Sequence, residues 1–228
     1  LDQVAQRVIH QHPELTQFYW RQQAISAQRN TAALSQPVAV TLGAENLLGS
    51  GDFSGIDSAE LMVALSSVIE LGNKAKLRVT EVDRQLAAEE AQKRAFLYDV
   101  LGQATQVYIA LLTQQQQIEL FERQVEFFEL NVERTLQRVE RGVAPQADWL
   151  RAKSELAQSQ LELIEHRARY RNTQSTLASL WGSTDIDFDR VEGELYLSRE
   201  IEPFDTLVER MASSPFIDAL TAQVRLQQ

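Results

Sequence analysis

Residues 97–149 read LYDVLGQATQVYIALLTQQQQIELFERQVEFFELNVERTLQRVERGVAPQADW. Within them Leu97, Ala104, Leu111, Ile118, Val125, Val132 and Val139 recur at every seventh position, and all are apolar. The column then meets the turn Arg141-Gly142-Val143-Ala144-Pro145. A second column follows through Trp149, Leu156, Leu163, Tyr170 and Leu177. A strict repeat of seven keeps one seam facing a partner only where helices supercoil left-handedly. The pattern predicts two antiparallel helices hinged at that turn, a coiled-coil hairpin over 73–181. Gly142 suits a helix C-cap and Pro145 a first helical residue. Ala144 is a poor N-cap, while Asp148 in the first turn suits the helix dipole. At ~1.5 Å rise per residue, an arm from about Asn73 to Arg141 reaches roughly 100 Å. Such a rod spans a distance between two places. Its turn, Arg141 to Asp148, stands at the extreme end, where an end-on partner is met.

Working outward, residues 1–36 read as a helix that Pro13 interrupts. The period then changes to two. Pro37 opens Val38-Ala39-Val40-Thr41-Leu42-Gly43-Ala44-Glu45-Asn46, with Val38, Val40, Leu42 and Ala44 on one face. A glycine-rich loop over 49–55 leads to a second alternating run, Glu60 to Leu71. There Leu61, Val63, Leu65, Ile69 and Leu71 share a face that only Ser67 breaks. The region 37–72 is thus a two-stranded hairpin with one greasier face, and Leu65 falls in the middle of its run. Each run is near the ~9–11 residues with which a strand crosses a bilayer. Such a hairpin must close into a ring with other strands, since lipid cannot satisfy open edges. The greasier face, Val38, Val40, Leu42, Leu61, Val63 and Leu65, is expected to contact lipid.

Beyond Trp181-Gly182 an irregular acidic stretch runs over 182–203, with a short strand expected at Glu194-Leu195-Tyr196-Leu197. The segment 204–228 echoes the start of the chain. Asp205, Arg210 and Pro215-Phe216-Ile217 repeat Asp2, Arg7 and Pro13-Glu14-Leu15. Residues 1–203 are accordingly expected to be a first structural repeat and 204–228 the start of a truncated second.

The chain of 228 residues has a net charge of −10, which disfavours nucleic acid as a partner. It holds no cysteine, so disulfides and thiolate metal sites are excluded. No basic segment followed by an apolar one opens it, so any secretion signal is expected to have been removed. No run approaches the ~20 apolar residues of a membrane-crossing helix. The least charged part of the first arm, Val100 to Ile118, is broken by Gly102, Gln103, Thr105 and Gln106 and by Gln114 to Gln117. A membrane role must therefore rest on strands. Gly49-x-Gly51 does not complete a nucleotide-binding fingerprint, and a strand follows it. His10 and His12 stand two apart and do not face together on a helix, so no metal site is read there. His166 and Glu89-Glu90 read as solvated surface. No catalytic constellation can be placed, no cofactor is implied, and no enzyme is expected.

Four stretches carry a family resemblance. They are His12-Pro13-Glu14-Leu15, Glu45-Asn46 with the glycine-rich loop, the run Leu65-Ser66-Ser67-Val68-Ile69-Glu70-Leu71-Gly72-Asn73-Lys74, and the turn Arg141-Gly142-Val143-Ala144-Pro145-x-x-Asp148 with Arg151-Ala152. In this order and spacing the chain resembles the TolC-like outer membrane efflux proteins, in the CusC- and CzcC-like cation efflux branch. It departs from that pattern at His12, where Asn is usual, at Ser67, where Gln often stands, at Asn73, where Gly is frequent, and at Ala144, where Ser or Thr is frequent. The resemblance implies a homotrimer whose protomers each give four strands to an outer membrane barrel above a periplasmic tunnel of helices. It implies an adaptor-docking tip at Arg141, Gly142, Val143, Ala144, Pro145 and Asp148. It also implies a periplasmic adaptor (membrane fusion) protein and an inner membrane pump as partners. With two of the four strands, the chain would be half a protomer. The fold expected is mainly α, long antiparallel coiled-coil helices with a two-stranded hairpin. A periplasmic coiled-coil adaptor or scaffold without a pore is the alternative, though adaptors flank their helical hairpin with small β domains.

Overall fold

The structure, a computed structural model, describes residues 1–45, 60–70, 72–195 and 202–227. The described elements are α1 (Asp2–Gln11), α2 (Pro13–Ala32), β1 (Ala39–Glu45), β2 (Glu60–Ser66), α3 (Lys74–Glu140), α4 (Gln146–Ser179), α5 (Phe204–Ala212) and α6 (Pro215–Gln227). They form two compact units, one of Leu1–Tyr19 with Ala91–Ala219, the other of Trp20–Glu90 with Leu220–Gln228.

In the first unit the column of sevens is the seam. Leu111 and Leu177 are 0% and 1% exposed, and no member of either column is fully exposed. The arms run antiparallel. Tyr170 donates to Gln115 Oε1 at 2.9 Å, the His166 ring stacks on Phe121 at 4.2 Å, and Arg167 pairs with Glu122 at 2.7 Å. His166 is therefore half-buried at the helix contact, where the sequence reading put it on the surface. Val8 of α1 enters the same core, with Val100, Ala104, Tyr108, Leu111, Leu112, Leu177, Ala178 and Trp181.

By length and composition α3 contains one 18-residue window apolar enough to cross a membrane, contrary to the sequence reading. Of that window 28% is buried, and Val100, Ala104, Tyr108, Leu111 and Leu112 of α3 belong to this core.

The break at Pro13 is capped. His12 Nδ1 accepts from the Glu14 backbone N–H at 3.2 Å, so the imidazole does what an N-cap asparagine does. The second Pro-headed helix, α6, likewise follows a short helix, α5. Among the described residues three glycines with positive φ stand at helix boundaries: Gly72 (84°), Gly142 (73°) and Gly182 (75°). Gly142 and Gly182 close their helices in the same way. Gly142 donates to Val139 O and Val143 to Arg138 O, as Gly182 donates to Ser179 O and Ser183 to Ala178 O. This is the paired Schellman closure, which needs a left-handed residue.

In the second unit β1 and β2 pair antiparallel with Val40 opposite Leu65, Leu42 opposite Val63 and Ala44 opposite Leu61. The strands are seven residues each, shorter than the runs read from the sequence. The register explains the stop. Beyond Ser66, the next residues of the second run would face Val38 and then Pro37, which has no N–H to donate. The middle residue of β2 is consequently Val63, and Leu65 lies next to its end. Asn46, the glycine-rich loop and Leu71 lie outside the described residues. Arg78 of α3 bonds the Glu70 carboxylate at 2.6 Å, and Gln36 donates to the same oxygen, fastening both ends of the hairpin to the base of the long helix. Arg29 pairs with Asp83 at 2.6 Å. Glu89, read as solvated, is half-buried and stands 3.7 Å from Arg21.

Candidate functional site

Two surfaces correspond to the residues singled out by sequence. The first is the strand face. Val38, Val40, Leu42, Leu61, Val63 and Leu65 are all exposed, Leu61 at 83%. The register brings the two strands' apolar residues onto one side, while Ala39, Thr41, Gly43, Glu45, Glu60, Met62, Ala64 and Ser66 take the other. A sheet face of this kind, with no described residue of its own unit packed on it, marks an interaction surface.

The second is the turn between α3 and α4. Arg141, Gly142, Val143, Pro145 and Asp148 are exposed and Ala144 is half-buried. Pro145 serves as the N-cap, with φ −73° and ψ 150°, and α4 begins at Gln146. The sequence reading was one residue early, because the extended ψ of Pro145 places it outside the helix. The Pro145 carbonyl accepts from the Asp148 N–H at 3.0 Å, and the Asp148 carboxylate sits at the positive end of α4. Gly142 has no heavy atom within 4 Å of where a Cβ would stand, so only its backbone conformation asks for glycine.

A third surface was missed. Ile109, Leu120, Phe127 and Leu130 are exposed on α3, and Leu150, Leu161 and Ile164 on α4. They fall on a lattice of alternating fours and threes, in a phase different from that of the buried columns, whose remaining places hold other residues; this is an incomplete second seam on each arm. The signal was present in the sequence but interrupted by Thr113, Gln116, Arg123 and Ser154.

The acidic stretch after Gly182 also has an organisation that composition hid. Residues 187–192 lie as a strap held through their backbone. Gln115 bonds both the N–H and the C=O of Val191 (2.8 and 3.0 Å), Gln174 donates to the carbonyls of Phe188 and Asp189, and Tyr170 donates to Asp189 O. Tyr108 closes the far end on Glu192 O. Burial pushes the Tyr170 hydroxyl pKa up. Arg7 of α1 grips Asp187 with both guanidinium nitrogens and lies 5.2 Å over the Trp181 ring, and the pairing holds the Asp187 carboxyl below its ordinary range. Glu194 and Leu195 are not in a strand, and Tyr196 and Leu197 lie outside the described residues. Among the described residues no cluster of three metal-ligating side chains occurs.

The sequence pattern of the outer membrane efflux protein family matches residues 4–183. The chain belongs to that family. The cobalt-zinc-cadmium resistance protein CzcC of Cupriavidus metallidurans is 24% identical over 160 residues, covering 70% of this chain and 38% of that protein. The CmeC outer membrane channel of Campylobacter jejuni superposes with a TM-score of 0.76 at 14% identity, over 99% of this chain and 51% of that one. CusC superposes with a TM-score of 0.71 at 12% identity, over 99% of this chain and 53% of that one. The chain thus spans about half the length of these solved relatives and less of CzcC. Its fold is that of the outer membrane efflux channels, mainly helical with a small antiparallel sheet, and its place is the cell outer membrane and periplasm. The family consists of transport components, not enzymes.

Proposed function

We propose that this chain contributes to the outer membrane channel of a tripartite efflux pump, a passive duct across periplasm and outer membrane that carries out no reaction. The observation that carries the reading is the strand register, which gathers Val40, Leu42, Leu61, Val63 and Leu65 on one exposed face. Residues 1–203 form a first structural repeat and 204–228 open a second, as the helix pairs α1–α2 and α5–α6 suggest. The exposed second seams on α3 and α4 suit neighbouring helices in a homotrimeric ring. The turn Arg141 to Asp148 docks a periplasmic adaptor, which links to an inner membrane pump. Membership of the channel family favours this over the adaptor or scaffold reading.

The test uses the complete gene product. Reconstituted in planar bilayers it should conduct ions, and in cells it should support pump-dependent resistance. Gly142→Leu should lower resistance and adaptor cross-linking while outer membrane abundance and trimer content stay near normal. Absence of conductance would overturn the duct. Full resistance and normal cross-linking in the Gly142 variant would remove the turn from the mechanism.

A further inference from the structure

Beside the base of the strand hairpin, the second unit holds an open hollow of about 560 Å³, within the ~300–1,000 Å³ of small-molecule sites. Leu34, Ser35 and Pro37 of the link after α2 form one wall, and Arg78, Glu81 and Gln85 of α3 another. Arg78 spends one guanidinium nitrogen, Nη1, on Glu70. Its other nitrogens make no hydrogen bond among the described residues and keep donors for a further acceptor. Glu81, three residues on, is exposed and makes no ion pair among the described residues. At this spacing a cation and a carboxylate share one helix face, with their Cβ atoms ~5–6 Å apart. Around them Glu70 offsets Lys74 and Asp83 offsets Arg29, while Lys76 and Arg84 leave a small positive excess. The wall also runs directly into the strand face. Pro37 is followed by Val38, the first residue of that face, and Leu34 and Val38 are 65% and 58% exposed. The hollow therefore begins where the apolar strand face ends.

We infer that this hollow seats the headgroup of an aminophospholipid, with its phosphate on Arg78, its primary ammonium on Glu81, and its acyl chains leaving past Leu34 toward the strand face. The inference rests on the lipid contact proposed for the strands and names the membrane component met at their helical end. The headgroup joins a phosphodiester anion to an ammonium through a short ethylene link, so it asks for opposite charges a few ångströms apart. Arg78 and Glu81 offer that pair. The free guanidinium N–H groups suit phosphate oxygens. The Glu81 carboxylate provides the selectivity, because a primary ammonium carries N–H donors that a quaternary ammonium lacks. Ser35 and Gln85 supply neutral groups for the remaining oxygens.

The experiment uses the complete gene product in detergent, offered phosphatidylethanolamine, phosphatidylcholine and phosphatidylglycerol with identical acyl chains. Native mass spectrometry counts the lipid retained by wild type and by Glu81→Gln, and circular dichroism and trimer content report folding. Wild type should retain phosphatidylethanolamine about tenfold more than phosphatidylcholine, the worth of one charge-assisted hydrogen bond. The folded Glu81→Gln protein should lose that preference while holding phosphatidylcholine as before. Arg78→Gln should weaken retention of all three lipids. Equal retention of the three lipids by wild type, or an unchanged preference in Glu81→Gln, would overturn the headgroup site. Retention of no lipid, as when a neighbouring helix fills the hollow, would overturn it as well. Displacement of the lipid by an equal concentration of free phosphoethanolamine would overturn the lipid as ligand in favour of a soluble one. Insertion of wild type into bilayers is measured alongside. Normal insertion without headgroup preference removes this inference alone, whereas failure to insert removes the strand reading beneath it.

Discussion

The helical hairpin and the strand hairpin are built from the same apolar residue types, yet they treat them in opposite ways. Leu111 and Leu177 vanish into the seam of α3 and α4, whereas Leu61 and Val63 stand in the open on β2. In the first case each apolar column finds its partner in the same unit, at a spacing the chain itself supplies. In the second the register aligns the apolar residues and no described residue of that unit covers them. A seam is a solution to folding. An aligned and uncovered sheet face points to a surrounding that the chain must find elsewhere.

Mutation should separate the two. The largest effect is expected at the seam. Leu111→Ala should destabilise the helical hairpin by about 2–5 kcal/mol, through lost burial and the cavity left behind. Denaturant unfolding of the purified protein measures this, and a cost like that of a surface substitution would show the seam to be misread. On the strands the effect should appear only where the protein meets lipid. Val63→Arg, at the middle of β2, should cost ~2–4 kcal/mol of membrane insertion, and Leu65→Arg, near the strand end, about 0–1. Helical content should not change in either. Equal insertion of all three proteins would break the lipid-facing assignment.

The two Schellman glycines refine the contrast on the helical side. Gly142→Ala meets only the left-handed backbone, a penalty of about 1–2 kcal/mol. Gly182→Ala meets the same penalty and a Pro13 Cγ at 3.2 Å from the new Cβ, so it should lower the thermal midpoint more. The smallest effect is expected from acid. Arg7 depresses the Asp187 pKa, so its contribution is fully present above the ordinary value of 3.8 and is lost as pH falls through the depressed value below it. The protection of the amides of residues 187–192, measured relative to their intrinsic exchange rates, should fall in that window and stay flat from pH 5 to 8. Because both partners are half-exposed, the global midpoint should hardly follow.

How far the sequence could be read depended on the range of the signal. The seam was legible because seven-residue periodicity is written in one stretch, from Leu97 to Val139. The hairpin's faces were legible from alternation, but its length was not. The stop at Ser66 depends on which residue of the first strand stands opposite, and Pro37 sits 29 positions away. The turn was placed to within one residue, with Gly142 as its closing residue and Pro145 moved from first helical residue to cap. The strap could not be read at all. Gln115 and Val191 meet across 76 residues, and an amide on a helix looks from sequence like any other solvated side chain. His166 and Glu89 were misjudged for a related reason, since polar residues are half-buried only where a partner from another helix, here Phe121 or Arg21, happens to arrive.

The grip of Gln115 on Val191 has an evolutionary consequence. A carboxamide that donates to a backbone carbonyl and accepts from the adjoining backbone N–H is blind to which amino acid it holds. Gln174, Tyr170 and Tyr108 are equally indifferent, since each addresses a main-chain oxygen. Selection can therefore rewrite Asp189 and Glu192 without loosening the strap, whereas Asp187 and Arg190 are also held by Arg7 and Glu119, and Phe188 and Val191 pack on the core. Among related chains, variability should be greatest at those two positions of the strap, and constancy in the helices that hold it.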